Sequence, residues 1–532
     1  MESKDYIQKS KVTWAIEGDE NSKFFHGIIN KKMSQLAIRG IFIDGSWCTE
    51  PGTIKKAFVN HFEARFKEPG LQSGLISETI ILRRLELKHK LLNINDMESK
   101  DYIQKSKVTW AIEGDENSKF FHGIINKKMS QLAIRGIFID GSWCTEPGTI
   151  KKAFVNHFEA RFKEPGLQRF KINFQFPKKL LQNQADDLER VVSRDEIRLA
   201  VWNCGDNKSP GPDGYSFEFL KKYWDLIGSD LCEAVEYFFR NGSFPKGCNS
   251  SFIALIPKVL DAKFVSDFRP ISLIGCVYKV ITKVLANRLM EVISDLVSDT
   301  QSAFVSERQT LDGPFILDEL LQWCKRRNKQ TMFFKVDFAK AYDSIRWDYL
   351  IDVLGSFGFG PVWCNWIRGS LTSAKASILV NESPTNEFSL HCGLKQGDPL
   401  ALYLFILVME LLHLSICHLV DNGLFSGIQL PGSVTISHLF YADDAMFIGE
   451  WSEENLKVIL NALKCFFLAS GLCINIHKSQ MLGVGVSYQV VQQAAYSIGC
   501  SIMQNQFRYL GVTIGDRMTR IKVWENVIVK LR

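Results

Sequence analysis

Two adjacent carboxylates, Asp443 and Asp444, close the segment Tyr441-Ala442-Asp443-Asp444, which lies between two short apolar runs at residues 434–440 and 445–449. Apolar residues alternating with a period of two predict a β-hairpin, and its tight turn can aim a side chain into a cleft. Neighbouring acids repel each other, and one or two divalent cations relieve that repulsion. A solvated loop is the competing reading for an Asp-Asp pair in a turn. A third carboxylate, Asp337, ends the β-rich run Thr331-Met-Phe-Phe-Lys-Val336 and precedes a stretch that reads as helix over residues 344–354. The C-terminal end of a strand is a common ligand position, although Asp337 could equally cap the helix that follows. Between these stations, Gly393-Leu394-Lys395-Gln396-Gly397-Asp398-Pro399 forms a Gly/Pro-punctuated loop opening an apolar helix from Leu400 to about Leu419. Loop N–H groups, a Gln and a Lys at a helix start suit contact with phosphate or a base edge.

The order of these stations resembles the palm of a reverse transcriptase, most closely the polymerase of plant LINE-type (non-LTR) retrotransposons. Further stretches carry the resemblance: Lys208-Ser-Pro-Gly-Pro-Asp-Gly214, Ile256-Pro257-Lys258, Phe268-Arg269-Pro270-Ile271-Ser272-Leu273, Gln301-Ser-Ala-Phe304, Ser470-Gly-Leu-Cys-Ile-Asn475 with Lys478-Ser479, and Phe507-Arg-Tyr-Leu-Gly511. Together they cover residues 208–515. Upstream, Gln8-Lys-Ser-Lys and Glu17-Gly-Asp-Glu-Asn-Ser-Lys-Phe-Phe-His26 resemble the connector preceding the polymerase in such elements. The fold implied is α+β, with right-hand fingers and a ferredoxin-like palm on an antiparallel sheet, the thumb largely missing and a helical extension at the N-terminus.

Phosphoryl transfer to a nucleotide needs positioning and charge neutralisation more than covalent help from protein. The resemblance implies a catalytic site of Asp337, Asp443 and Asp444. These three, with the backbone carbonyl of Phe338, would hold two Mg²⁺ ions, with Mn²⁺ as a substitute. Asp343, a helical turn or more past Asp337, reads instead as a local cap or salt-bridge partner. By position, Tyr342 matches the aromatic that excludes a 2′-hydroxyl, and Gln396 matches the glutamine near the incoming base pair. Lys258 and Arg269 match the fingers residues that hold the triphosphate, a role suited to a guanidinium fork. Lys478 is the candidate proton donor to pyrophosphate. The implied partners are an RNA template, a DNA primer and dNTPs. Two departures stand out: Lys395 where the family more often has Arg, and Ala401-Leu402 where it more often has Ser-Pro.

Composition is compatible with this reading without producing it. The 532 residues exceed one ordinary domain, 46% hydrophobic content suffices for a core, and a net charge of +6 permits a basic nucleic-acid channel. The thirteen cysteines are scattered singly, with no C-x-x-C pair, so no structural zinc and a reduced, intracellular compartment are expected. The apolar run at 400–409 is interrupted by Glu410 and His413 and reads as a buried helix, so a soluble protein without membrane contact is expected.

Residues 1–72 reappear unchanged as 97–168, joined by 73–96. Two copies do not build a solenoid. Each reads as a helix (21–35 in the first copy), a hairpin around Asp44-Gly45 and an amphipathic helix with Ile54, Phe58, Phe62 and Phe66 on one face. That face is expected to dock on the polymerase in the second copy. The division that follows is 1–72 and 97–168 as duplicated connector segments, 169–237 as an N-terminal fingers extension, 238–515 as fingers and palm, and 516–532 as the start of a thumb. Three functions are open at this point: an RNA-directed DNA polymerase, an inactive truncated relic that binds RNA or RNA–DNA hybrid, and a different palm polymerase. Tyr342 and the Tyr-Ala-Asp-Asp segment weigh against the last. Oligomeric state is not legible.

Overall fold

The structure, a computed structural model, describes residues 133–515 apart from 167–168, 172–175, 207, 246 and 260, together with the strands at 41–43 and 46–48. Residues 1–20 and 135–532 make one compact unit and residues 21–134 a second. In the second unit, the described part is a hairpin of β1 (Ile41–Ile43) and β2 (Ser46–Cys48). The helices predicted at 21–35 and in its repeat, the first copy's amphipathic helix and the predicted thumb start at 516–532 lie outside the described residues.

The first unit begins with β3 (Ile137–Ile139) and β4 (Ser142–Cys144), whose pairing of Ile137 with Cys144 repeats that of Ile41 with Cys48. Helix α1 (Pro147–Arg161) follows, with Pro147 in its first turn and the Glu146 carboxylate accepting the Gly148 and Thr149 N–H groups. Ile150, Phe154 and Phe158 recur every fourth residue and are buried, and Phe162 extends the stripe just past the helix end. This stripe docks on a five-stranded sheet: Phe154 meets Phe268 edge-on at 5.4 Å, and the His391 N–H donates to the Phe162 carbonyl. The sheet contains β5 (Ser250–Pro257), β6 (Phe268–Ile274), β8 (Lys375–Val380), β9 (Ser383–Pro384) and β10 (Phe388–Ser389), in the order β10-β8-β5-β6 with β9 beside β8. Before it come α2 (Gln182–Leu188), α3 (Arg194–Trp202), α4 (Phe217–Lys222) and α5 (Trp224–Asn241). Helix α5 runs unbroken through residues 237 and 238, where sequence patterning set a boundary.

The second large sheet has the order β13-β14-β7-β15-β16, from β7 (Thr331–Val336), β13 (His438–Tyr441), β14 (Asp444–Glu450), β15 (Gln480–Val484) and β16 (Ser501–Ile502). All its pairs are antiparallel except β15 with β16. Side chains alternate between two buried faces, as strand geometry requires. Met332, Phe334, Val336, Ala445 and Phe447 face one core, with α6 (Cys276–Leu296), α9 (Trp347–Ser356), α11 (Ala401–Asp421) and α12 (Glu453–Ser470). Phe333, Met446, Ile448 and Leu482 face another, closed by α7 (Asp312–Arg327) and the hairpin of β17 (Phe507–Tyr509) and β18 (Val512–Ile514). Helix α11 is long and apolar enough to cross a membrane, but Leu404–Met409, Leu411, Leu412 and Ile416 are all packed in the core.

Two elements differ from expectation. The run at 434–440 is two strands: β12 (Val434–Ile436) turns back on β11 (Ile428–Leu430) about Gly432, and β13 starts afresh at His438. The helix predicted over 344–354 breaks at Ile345, which is extended and separates α8 (Ala341–Ser344) from α9. Tertiary bonds take the backbone there: Gly393 N–H donates to Ile345 O at 2.8 Å, and Arg346 N–H donates to Ser470 O at 2.9 Å. Of the remaining helices, α10 (Pro361–Thr372) adds Trp363, Trp366 and Ile367 to the first core, and α13 (Tyr488–Ile498) packs on β15 and β16.

Candidate active site

The β13–β14 turn is as tight as a hairpin allows: Tyr441 pairs with Asp444, and Ala442 adopts a positive φ of 50°. Such a backbone needs outside support. The buried Gln301 side chain provides it, accepting the Ala442 N–H at 2.9 Å and the Ala303 N–H at 3.1 Å. The 300–302 segment also pairs with Phe440 through Phe440 N–H to Thr300 O and Ser302 N–H to Phe440 O. Gln301 thus fixes where the acids point, a role its sequence motif did not disclose.

Register brings the carboxylates together. Ala445 lies opposite Val336, so one step further along the antiparallel pair sets Asp444 opposite Asp337. Asp443 is exposed at the tip. Its carboxyl is nevertheless pushed up to about 6, first by surrounding protein displacing water and then by the charges of Asp444 and Asp337, with Arg269 opposing. Because solvent still reaches the residue, burial raises it less than it would a sealed group. Asp444 is also raised, by burial and by Asp337, while Lys335 at 3.8 Å pulls it down. Three carboxylates at one strand end, two of them raised by the charge of the third, are a donor set that suits a hard divalent cation. Asp337 is held from the other side: its N–H donates to Ser479 Oγ, and its carbonyl accepts from Asn475 N–H at 2.7 Å. Alternation then turns the Phe338 carbonyl toward the β14 side, the side of the acids.

The Gly393–Pro399 loop is laced to this centre. Leu394 N–H donates to Tyr342 O at 2.7 Å, Trp347 Nε1 to Gly393 O at 2.8 Å, and Ser272 N–H to Gln396 O at 2.9 Å. Gly393 has φ +81°, and a Cβ there would meet the Asp343 carbonyl at 2.6 Å. Tyr342 stacks on Phe405 with ring centres 4.6 Å apart, which fixes the ring. Lys395 is fully buried, its ammonium 2.6 Å from Asn249 Oδ1 and 4.0 Å over the Tyr278 ring, and burial lowers it to about 7. Asp398 accepts Leu400 N–H and the Tyr278 hydroxyl, each at 3.0 Å, which ties the residue preceding α11 to α6.

One basic residue, Arg269, acts on Asp443, and other basic residues gather around it. Arg269 is exposed on β6 opposite Ile256, and Lys258 follows β5 with its ammonium donating to Ser266 O at 2.8 Å. Burial and the charges of Arg161, Lys478 and Arg269 depress Lys258, and Lys478 itself is exposed. The second connector copy joins this group. Arg161 Nη1 donates to Asp343 Oδ2 at 3.1 Å, with both side chains only 5% exposed. Asp343 is therefore neither a cap nor a local partner: it reaches a residue from α1, and burial still raises it to about 6 against the pull of Arg161 and Lys340. Arg161 and Lys340 were invisible to motif reading, since neither belongs to a motif.

Residues 256–514 match the protein family described as reverse transcriptase (RNA-dependent DNA polymerase). These residues are a reverse transcriptase domain. Among relatives, the chain is 26% identical over 416 residues to the transposon TX1 uncharacterized 149 kDa protein of Xenopus laevis, covering 77% of this chain and 31% of that protein. It is 26% identical over 339 residues to the Pol polyprotein from retrotransposable element R2DM of Drosophila melanogaster, covering 64% of this chain and 30% of the polyprotein. A 68-residue stretch, 13% of this chain, is 39% identical to 56% of the uncharacterized mitochondrial protein AtMg01250 of Arabidopsis thaliana. The reverse transcriptase domain is thus homologous to that of non-LTR retrotransposon polyproteins, and the chain spans about a third of the length of the first two relatives. Reverse transcriptase domains use divalent metal ions, and the acid trio fits that requirement.

Proposed function

We propose that this chain is an RNA-directed DNA polymerase that extends a DNA primer on an RNA template with dNTPs, and that it derives from a plant LINE-type element. The meeting of Asp337, Asp443 and Asp444 at one end of the palm sheet, opposite Arg269 and Lys258, carries the reading. The plant origin rests on the Arabidopsis likeness. Asp337, Asp443 and Asp444, with the Phe338 carbonyl, would hold two Mg²⁺ ions, which when bound stabilise the attacking 3′-oxygen and the leaving pyrophosphate. Arg269 and Lys258 hold the triphosphate, and a guanidinium suits two phosphate oxygens at once. Tyr342, immobilised on Phe405, excludes a ribose 2′-hydroxyl, and Gln396 lies beside the incoming base pair. Lys478 would give a proton to the departing pyrophosphate. Reduced cysteines throughout the described residues fit an intracellular site of action.

The test is Mg²⁺-dependent extension of a DNA primer on an RNA template, comparing the chain with Asp443→Asn. Synthesis by the unaltered chain alone supports the proposal. No synthesis by either, with RNA–DNA hybrid still bound, points to a protein that only binds nucleic acid.

A further inference from the structure

The palm holds a second cluster of ligand atoms that the polymerase chemistry does not use. Strand β13 begins at His438, three residues before Tyr441, and this histidine is only 2% exposed. Helix α11 turns Glu410, His413 and Cys417 toward it from one face, at spacings that align along a helix. Among the described residues, His413, Cys417 and His438 form a trio whose ligand atoms lie within 4.8 Å of one another. His413 Nδ1 is 2.8 Å from His438 Nε2, and Cys417 Sγ is 3.8 Å from the same Nδ1 and 3.4 Å from His413 Nε2. Thr300 Oγ1 lies 3.0 Å from that Nδ1 as well.

An imidazole nitrogen carries one proton or one lone pair, so His413 Nδ1 cannot serve His438 and Thr300 equally well. One outer nitrogen has an oxygen within hydrogen-bond reach, and the other has a carboxylate just beyond it. Ser437 Oγ is 2.9 Å from His438 Nδ1, and Glu410 Oε1 is 4.0 Å from His413 Nε2. Glu410 is itself fixed by the Ser298 N–H and hydroxyl, each at 3.1 Å. In the tautomers with Ser437 accepting the outer proton of His438 and His413 protonated on Nε2, the inner lone pairs of the two rings meet across 2.8 Å, and a cation between them removes the conflict. Oxygen partners behind each ligating histidine are the usual second layer of a metal site. Tetrahedral Zn²⁺, with Zn–N and Zn–S bonds of about 2.0 and 2.3 Å, needs N-to-S and N-to-N separations of about 3.6 and 3.3 Å. The two separations from His413 Nδ1 are within about half an ångström of these values, and His438 Nε2 and Cys417 Sγ lie within 4.8 Å of each other.

We propose that His413 Nδ1, Cys417 Sγ and His438 Nε2 form a transition-metal site suited to Zn²⁺, with water or the Thr300 hydroxyl in the fourth position. Imidazole and thiolate select Zn²⁺ over Mg²⁺, so this site is chemically separate from the carboxylates. On binding, Cys417 releases its proton to solvent and the sulfur's electron pair goes to the metal. The metal pins β13 to α11, and so holds the strand that leads directly into Ala442-Asp443.

The test is titration of the chelator-stripped full chain with Co²⁺ and then Zn²⁺, read by absorption rather than by activity. One equivalent of Co²⁺ with a thiolate-to-cobalt charge-transfer band, displaced by Zn²⁺ but not by excess Mg²⁺, is the expected result. Cys417→Ser removes that band, whereas replacing the exposed Cys465 by Ser keeps it. Asp443→Asn also keeps the band, and Ser437→Ala, which removes the oxygen beside His438 Nδ1, weakens affinity by roughly ten- to a hundred-fold at unchanged stoichiometry. No charge-transfer band in the unaltered chain, or an undiminished one in folded Cys417→Ser, overturns the site. If Cys417→Ser does not fold, His438→Gln is titrated instead: loss of the equivalent supports the site, and full retention overturns it.

Discussion

The hairpins β13–β14 and β5–β6 are built alike and charged oppositely. Each is an antiparallel pair on a five-stranded sheet with apolar residues on buried faces. One presents Asp443 and Asp444 beside Asp337, and the other presents Arg269 and, past its strand, Lys258. Asp337 and Asp444 raise Asp443, burial and neighbouring cations including Arg269 depress Lys258, and Arg269 acts on Asp443 across the gap. Both ends therefore store unfavourable charge in the protein alone. A ligand carrying cations toward the acids and anionic oxygens toward the bases relieves both, and a metal-bound nucleoside triphosphate has that polarity.

Removing an acid should have the largest effect. Asp443→Asn is expected to cut primer extension by roughly a thousand-fold. Without metal it should not destabilise the fold. The carboxyl is raised to about 6 from an ordinary value near 4, so the stability of its protonated form is complete below about pH 4 and lost as pH rises through about 6. Thermal unfolding of chelated protein across that window should decline in the parent and flatten in the variant.

Next comes the link between the connector and the palm. Arg161→Met leaves Asp343 buried without its ion-pair partner and should cost about 3–5 kcal/mol in denaturant unfolding. Adding Asp343→Leu should restore most of it, and no recovery would show that the pair is not the cause. On the basic side, Arg269→Ala should raise the KM for dNTP by about ten- to a hundred-fold with a smaller change in kcat, since a charge-assisted contact is worth about 1.5–3 kcal/mol. An unchanged KM would break the proposed division between the two hairpins. Tyr342→Val should raise ribonucleotide incorporation about ten-fold, within the discrimination a shape-selecting pocket supplies. The smallest effect is expected from deleting residues 1–96, which should leave the unfolding midpoint and extension rate close to those of the parent.

The acid trio was legible because it depends on local rules. Period-two patterning gave the hairpin, and a strand end gave Asp337. The docking face of α1 was likewise written in Ile150, Phe154, Phe158 and Phe162. Features set by distant partners were not legible. The break at Ile345 follows from a bond to Gly393, the start of β13 from the β11–β12 turn, and the partner of Asp343 lies 182 residues away. Gln301 could be seen only as part of a motif, because its work is done on the backbone of Ala442. The His413–Cys417–His438 trio escaped a search for paired cysteines because one ligand lies on a strand and two on a helix.

The socket that receives α1 has a consequence for the duplicated chain. Ile54, Phe58, Phe62 and Arg65 reproduce Ile150, Phe154, Phe158 and Arg161 in identical surroundings of sequence. A surface that recognises these side chains cannot tell two identical sequences apart, so the length of chain joining each to the palm is what distinguishes them. The nearer copy is joined to the palm by a short stretch, and the farther one by about a hundred more residues. Chain closure then favours the nearer copy by roughly 2 kcal/mol. The farther copy, identical in sequence, therefore has the lower effective concentration at that face.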